Sequence, residues 1–248
     1  MDYDVDVFRE GVAEVDNLHH EGMRTMGSDV LELHAETRKA LGGTSRRQFL
    51  VRSGLTAAAV TIGSVTLPMS SLFSPAFGQT LDDASIAAFA ASVEYAAVKA
   101  YTVAAGTGKV TGPALEAAKI FLQHHQQHGD AFAGASGGKA TKNPNTTLVN
   151  TLGPAITGAK DQAAILTIAY GVENAAAATY LFALQALKDP GAQKLTASIL
   201  PIEAGHAVVL GNALGYTPAD DGARSAALKF IPAFQTQDGF VDPSKTPA

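Results

Sequence analysis

The sequence predicts an all-α protein whose main domain is a bundle of four long helices, arranged as two antiparallel hairpins joined by a long connection. Three observations favour this fold class. Residues 79–248 contain long alanine-rich segments with few β-branched runs, a composition typical of helices. Glycine and proline clusters divide these segments into pieces of about 23–30 residues, which suit bundle helices. The stretch over residues 136–158 is too long for a simple turn between antiparallel neighbours.

The composition of the chain excludes several classes of protein. It has 248 residues with a formal net charge of −5, 17% charged residues and no cysteine. Without cysteine there is no disulfide framework, no thiolate metal site and no cysteine nucleophile. The lack of a basic surface argues against nucleic acid as a partner. Metal or catalytic chemistry must therefore come from Asp, Glu, His, Tyr or Ser.

Residues 1–78 are predicted to be an acidic leader followed by an export signal. Arg46 and Arg47 precede Phe49, an apolar stretch over residues 55–67 and small residues that end at Gly78. This order is typical of secretory signals, and the paired arginines resemble a twin-arginine signal, which exports proteins already folded. The protein is therefore expected to use the twin-arginine export machinery and to be periplasmic or otherwise exported. The alternative is an uncleaved signal that tethers the chain to a membrane, although spanning one takes about 20 apolar residues.

The acidic leader contains His19, His20 and His34. Histidines in such a segment are usually solvated, so these three are predicted to be exposed and without function. A true start at Met23 or Met26 is an alternative interpretation of the same segment.

The main domain is predicted over residues 79–214, and an irregular tail over 215–248. Asp82 and Asp83 suit the positive end of the first helix dipole, and Pro113 suits the first position of the second helix. The proline and glycine after Asp189 end the third helix. The predicted helices span residues 81–105, 113–135, 159–188 and 192–214, with a further short helix at 223–231 in the tail.

Three glutamates lie in sequence contexts where a carboxylate needs an explanation. Glu94, Glu173 and Glu203 have mostly apolar neighbours three and four residues away, whereas Glu116 has Lys119 within one helical turn. A buried carboxylate without a partner is costly. Metal coordination and hydrogen bonding with histidines are two ways to compensate for that cost.

An internal repeat places these glutamates in a doubled pattern. The segment Glu94–Tyr101 matches Glu173–Tyr180, and His125–His128 matches Glu203–His206 about 30 residues later in each half. Residues three apart on a helix project to the same side. The two halves therefore direct Glu and His side chains towards a common axis.

On these residues the chain resembles the ferritin-like di-iron and di-manganese carboxylate proteins over about residues 81–214. The resemblance implies a ferritin-like four-helix bundle and a metal site in its core. It identifies six metal ligands, namely Glu94, His125, His128, Glu173, Glu203 and His206.

One position departs from the family pattern. His125 stands where the family has a glutamate that bridges two metal ions, and imidazole does not bridge as a carboxylate does. The site is therefore predicted to hold one or two ions, iron or manganese, with zinc or copper as further candidates because imidazole suits them. His124 is a rival to His125, since it shares a helix face with His128; the repeat favours His125.

The sequence leaves alternatives open for the role of two tyrosines and for the function of the protein. Tyr101 and Tyr180 either donate hydrogen bonds to the carboxylates near an oxygen site or serve only as packing. The expected function is that of an exported metal-binding protein, with activity as an oxidase, ferroxidase or peroxide scavenger as the oxidoreductase interpretation. Its partners would be a metal ion or a small oxidant, with a homo-oligomer as a further expectation. The alternatives are metal storage without turnover, and a structural or stress protein with a metal-free polar core.

Overall fold

The computed structural model describes residues 3–25 and 82–216, which form six α-helices and no strand. The all-α prediction is therefore confirmed. The predicted export signal, His34 and the tail beyond residue 216 lie outside the described residues. The helices are α1 (Val5–Thr25), α2 (Asp83–Gly106), α3 (Gly112–Ala135), α4 (Thr146–Gly158), α5 (Gln162–Ala186) and α6 (Pro190–Ala213).

Aspartate caps begin three of the four long bundle helices. The side chains of Asp82, Asp161 and Asp189 each accept a hydrogen bond from the backbone N–H three residues later. This bond satisfies one of the donors that a helix N-terminus leaves without an intrahelical partner. The third helix, α3, instead begins with proline near its first position. The predicted bounds of the four helices agree with the structure to within three residues, and the cap at Asp161 explains why α5 begins three residues later than predicted.

The four long helices pack as two hairpins, α2 with α3 and α5 with α6. This is the predicted pairing, and it encloses a core made largely of alanine and aliphatic side chains. Small side chains let the helices approach closely, so polar groups that project inward are removed from water. The bundle therefore surrounds whatever chemistry its inward-facing residues carry.

The long connection contains a helix that was not predicted. Residues 146–158 form α4, which packs across α2 and buries Leu148, Leu152 and Ile156. These residues are four apart, a helical spacing that the surrounding Gly, Thr and Asn residues obscured. Asn145 caps the helix by accepting a hydrogen bond from the backbone N–H of Leu148.

The leader is not simply a solvated segment, because α1 packs against α3 and α6. Phe8, Val12 and Val15 lie on its buried face. His19 continues that face and is only 1% exposed, so the prediction that the leader histidines are exposed is wrong for His19. It is confirmed for His20, which lies on the exposed side of α1.

Close approach of α1 depends on a glycine of α6. A Cβ atom built at Gly205 would lie 2.9 Å from Cγ2 of Val15, closer than real Cβ contacts. The glycine inside the Glu203–His206 segment therefore makes room for α1 directly beside two predicted ligands. No helix of the described residues is long and apolar enough to cross a membrane.

Two glycines of α3 provide a matched test of how closely α3 packs against α2. We expect Gly129→Ala to lower the free energy of unfolding by about 1–3 kcal/mol, because its Cβ would lie 2.8 Å from Cε1 of Tyr95. Gly134→Ala, whose Cβ would meet nothing within 4 Å, should raise it by up to about 1 kcal/mol through helix propensity. Urea unfolding monitored by circular dichroism measures both changes, and equal effects would contradict the packing described here.

Candidate metal centre

The structure brings all six predicted ligands together in the core of the bundle. Each of the four long helices contributes at least one of them, and every one is at most 2% exposed. The residues are Glu94 on α2, His125 and His128 on α3, Glu173 on α5, and Glu203 and His206 on α6.

The six side chains form two overlapping groups whose potential ligand atoms lie within 4.8 Å of one another. His125 and Glu203 belong to both groups. The centre therefore has two adjacent positions for a cation, with one histidine and one carboxylate shared between them. One group is Glu94, His125, His128 and Glu203, and the other is His125, Glu173, Glu203 and His206.

His125 lies between two carboxylates and faces both of them. Its Nδ1 is 2.7 Å from Oε2 of Glu94, and its Nε2 is 3.2 Å from Oε1 of Glu173. Burial alone would lower the pKa of His125, but the carboxylates of Glu203 and Glu173 raise it well above the usual value. Without a metal ion, His125 thus carries the positive charge that partly compensates the buried carboxylates.

Glu203 and Glu173 differ in protonation because their surroundings differ. Burial, with the nearby charges of Glu94 and Glu173, raises the pKa of Glu203 well above its ordinary value. Burial also opposes ionisation of Glu173, but the charge on His125 holds the pKa of Glu173 well below its ordinary value. The ion-free centre therefore contains an ionised Glu173 beside a protonated Glu203.

Two buried polar atoms of the centre make no aligned hydrogen bond among the described residues. They are Nδ1 of His128 and Oε1 of Glu203, which face each other at 2.8 Å without the alignment of a hydrogen bond. Buried polar atoms are almost always paired, because an unpaired one loses its hydration without compensation. A cation that accepted both lone pairs would satisfy them together, so the residues present fit a metal ion.

The two tyrosines of the internal repeat, Tyr101 and Tyr180, each form a hydrogen bond to a glutamate of the other half of the repeat. Tyr101 donates its hydroxyl hydrogen to Glu173, and Tyr180 donates to Glu94. Each tyrosine thus contacts the glutamate of the opposite half, and the interpretation of both as mere packing is wrong. Burial and the adjacent carboxylates raise the pKa of both hydroxyls, which keeps them protonated donors.

His124 lies next to the centre but in neither of its two groups. Its Nδ1 is 3.0 Å from Nε2 of His206, and its Nε2 is 2.9 Å from Oδ1 of Asp16 on α1. For Nδ1 of His206 to bind an ion, Nε2 must carry the proton and donate it to His124, which in turn donates to Asp16. Such outer partners fix the orientation and tautomer of metal-binding histidines.

Sequence reasoning missed the contribution of α1 to this region. Nδ1 of His19 lies 3.1 Å from Nε2 of His128, and its ring stacks on His124 with centroids 3.9 Å apart. The available signal was the spacing of Phe8, Val12 and His19, which repeats at helical intervals and marks one buried face.

An apolar crevice reaches the centre from the side of α4. Val93, Leu148 and Leu152 line it, together with Glu94 and His125 of the centre. Its apolar walls suit a small uncharged molecule better than a hydrated ion.

Comparison with known protein families decides the family of this bundle. The model of the ferritin-like domain matches residues 82–216, just over half of the chain. The chain belongs to the ferritin-like family. The match covers α2 to α6 and leaves α1 outside the ferritin-like domain. Neither the curated proteins nor the solved structures that were compared gave a match.

Two substitutions of nearly equal shape test the protonation described for this ferritin-like centre. In the ion-free protein at neutral pH, we expect Glu203→Gln to change the free energy of unfolding little, because Glu203 is already neutral there. Glu173→Gln should lower it by about 1.5–3 kcal/mol, because it removes one of the two carboxylates that face the buried charge on His125. Denaturant unfolding in the presence of a chelator measures both, and the reverse ranking would contradict this assignment.

Proposed function

We propose that this ferritin-like protein binds one or two transition-metal ions between the six Glu and His side chains of its core and uses them in redox chemistry with dioxygen or peroxide. The observation that carries the proposal is the two overlapping ligand groups, inside which Nδ1 of His128 and Oε1 of Glu203 lie 2.8 Å apart without an aligned hydrogen bond. A metal-free polar core would be expected to align two such buried atoms as donor and acceptor.

The charges of the centre support a divalent cation. Three carboxylates lie in an interior that contains no Lys or Arg within salt-bridge distance among the described residues. Among the described residues, His125 is the charged group that offsets them in the ion-free protein, and the raised pKa of Glu203 favours its protonated form. Three oxygen-donor and three nitrogen-donor side chains suit iron or manganese, while the imidazoles also accommodate zinc or copper.

A redox-active ion held there would supply the electrons that reduce an oxygen species. The chain's own residues would do the rest. The bundle excludes bulk water, the apolar crevice beside Leu148 and Leu152 would suit a small apolar molecule, and Glu94 with Glu173 would be among the side chains that hold the ion. Tyr101 and Tyr180 keep protonated hydroxyls at those two carboxylates, which holds the carboxylates in place and keeps two protons near the centre.

Export remains part of the proposal on the strength of the sequence. A twin-arginine signal over residues 45–78 would carry a chain that has folded and acquired its metal in the cytoplasm to the periplasm or the cell exterior. A tether formed by an uncleaved signal is the alternative. A homo-oligomer likewise stays a prediction.

A structural protein with a metal-free core is a second candidate function. The hydrogen bonds of His125 to Glu94 and Glu173, and of His206 to Glu203, are the observation that favours it. They show that most polar atoms of the centre find partners without an ion.

Metal content and turnover distinguish the two functions. We expect the purified full-length protein to contain about one or two transition-metal ions per chain, and Glu203→Gln to lose them because Glu203 belongs to both ligand groups. Glu173→Ala and His206→Ala should lower the content as well. Elemental analysis measures this, and consumption of ferrous iron, dioxygen or peroxide measures turnover.

The matched control for this experiment is Glu116→Gln, which removes an exposed glutamate that pairs with Arg9 far from the core. It should leave metal content unchanged. Wild-type protein without stoichiometric metal would favour the structural function, and unchanged content in Glu203→Gln would show that the ligand assignment is wrong.

The affinity for metal should rise with pH. The pKa of Glu203 and that of His125 are both raised, so each holds a proton at neutral pH that a bound ion must displace. For each proton that the ion displaces, the affinity should rise about tenfold per pH unit, as long as the pH lies below the raised pKa of that group. Calorimetric titration in buffers of different ionisation enthalpy should detect the released protons. An affinity that does not change between about pH 6 and pH 8 would contradict this account.

A further inference from the structure

A second cluster of potential metal ligands lies outside the core, where α1 meets α3. Asp16 and His20 of α1 and His124 of α3 each offer one atom, and these atoms lie within 4.8 Å of one another. Oδ1 of Asp16 is 2.9 Å from Nε2 of His124 and 3.3 Å from Nδ1 of His20. In the ion-free chain Nδ1 of His20 donates to the backbone carbonyl of Asp16 at 2.8 Å, a bond that a bound ion would replace. Ligand atoms held about 2.0–2.1 Å from a tetrahedral ion lie roughly 3.3 Å apart, so these spacings suit a single small cation.

His124 breaks the internal repeat at this place. The offset of 78 that aligns His125 with Glu203 aligns His124 with Ile202, a buried apolar residue of α6. The bundle scaffold therefore accepts an aliphatic side chain at the equivalent position of its other half. Of the two equivalent positions, residue 124 is the histidine, and its side chain contacts Asp16 of α1.

The cluster is open to solvent on one side and anchored in the bundle on the other. The side chains of Asp16 and His20 are 37% and 66% exposed, whereas that of His124 is 1% exposed. An ion could thus enter from solvent and keep water in its remaining coordination positions. Two imidazole nitrogens and one carboxylate oxygen suit zinc, copper or nickel better than magnesium or calcium.

We propose that Asp16, His20 and His124 form a second metal site, separate from the core centre, that binds a zinc-type divalent ion and fastens α1 to the bundle. The ion would join two helices that are distant in sequence, and its binding free energy would add to that of the apolar contacts of α1. Because Asp16 and His20 precede residue 78, a chain cleaved after Gly78 would lose this site. The outer site then belongs to the uncleaved chain.

The hydrogen bond between His124 and His206 couples the outer site to the core centre. An ion on Nε2 of His124 leaves its proton on Nδ1, which then donates to Nε2 of His206. A core ion on Nδ1 of His206 requires the opposite arrangement. The outer site is therefore measured in a chain whose core centre is disabled by Glu203→Gln.

The first measurement is a titration of the full-length Glu203→Gln chain with Zn²⁺ alone. We expect one Zn²⁺ to bind, and His20→Ala or Asp16→Asn in the same chain to weaken that binding at least about tenfold. Glu14→Gln removes an exposed carboxylate from the same helix, outside the cluster, and should leave the affinity unchanged. Equal Zn²⁺ affinities for His20→Ala and Glu14→Gln would overturn the proposal.

The second measurement follows α1 itself. Trypsin can cut after Arg9 only when α1 opens, so Zn²⁺ should slow this cleavage at least about threefold in the Glu203→Gln chain and in its Glu14→Gln derivative. It should have no effect in the His20→Ala derivative. Cleavage that Zn²⁺ does not slow would overturn the proposal. Both measurements are independent of the core, so absence of core metal in the wild-type chain would remove the proposed function and leave the outer site standing.

Discussion

The structure depends on how three carboxylates are kept inside an apolar helical bundle. Glu94, Glu173 and Glu203 are almost completely removed from water, and an isolated buried charge costs far more than the stability of a small domain. The ion-free centre meets this constraint by charging His125 and protonating Glu203. The compensation is incomplete, because Oε1 of Glu203 makes no aligned hydrogen bond. A cation would complete it, which connects the electrostatics of the core to the proposed metal binding.

The internal repeat explains much of the geometry. Each half supplies a glutamate followed by a tyrosine seven residues later, and each tyrosine reaches the glutamate of the opposite half. The site is therefore assembled across the interface between the two hairpins and does not belong to either one. His125 interrupts this symmetry, since its repeat counterpart is Glu203. Its ring places one nitrogen towards Glu94 and the other towards Glu173, so it occupies the middle of the centre in a way that differs from a bridging carboxylate.

The segment before the family domain adds a layer that the family match does not include. Helix α1 covers α3 and α6 next to the centre, and His19 packs against His124 and His128. Gly205 allows this approach within the very segment that supplies two candidate ligands. The surroundings of the core histidines therefore depend on whether α1 is present, and a leader that is removed on export would change those surroundings.

The sequence by itself determined the four long helices and the six candidate ligands, because aspartate caps, glycine breaks and three-residue spacings are local signals whose meaning does not depend on the rest of the fold. Only the tertiary structure decided that α4 forms within the connection, that α1 packs on the bundle and that Tyr101 bonds to Glu173. These features depend on contacts between residues distant in the chain. The direction of a side chain such as His125, and the charge it carries, follow from neighbours that local spacing does not reveal.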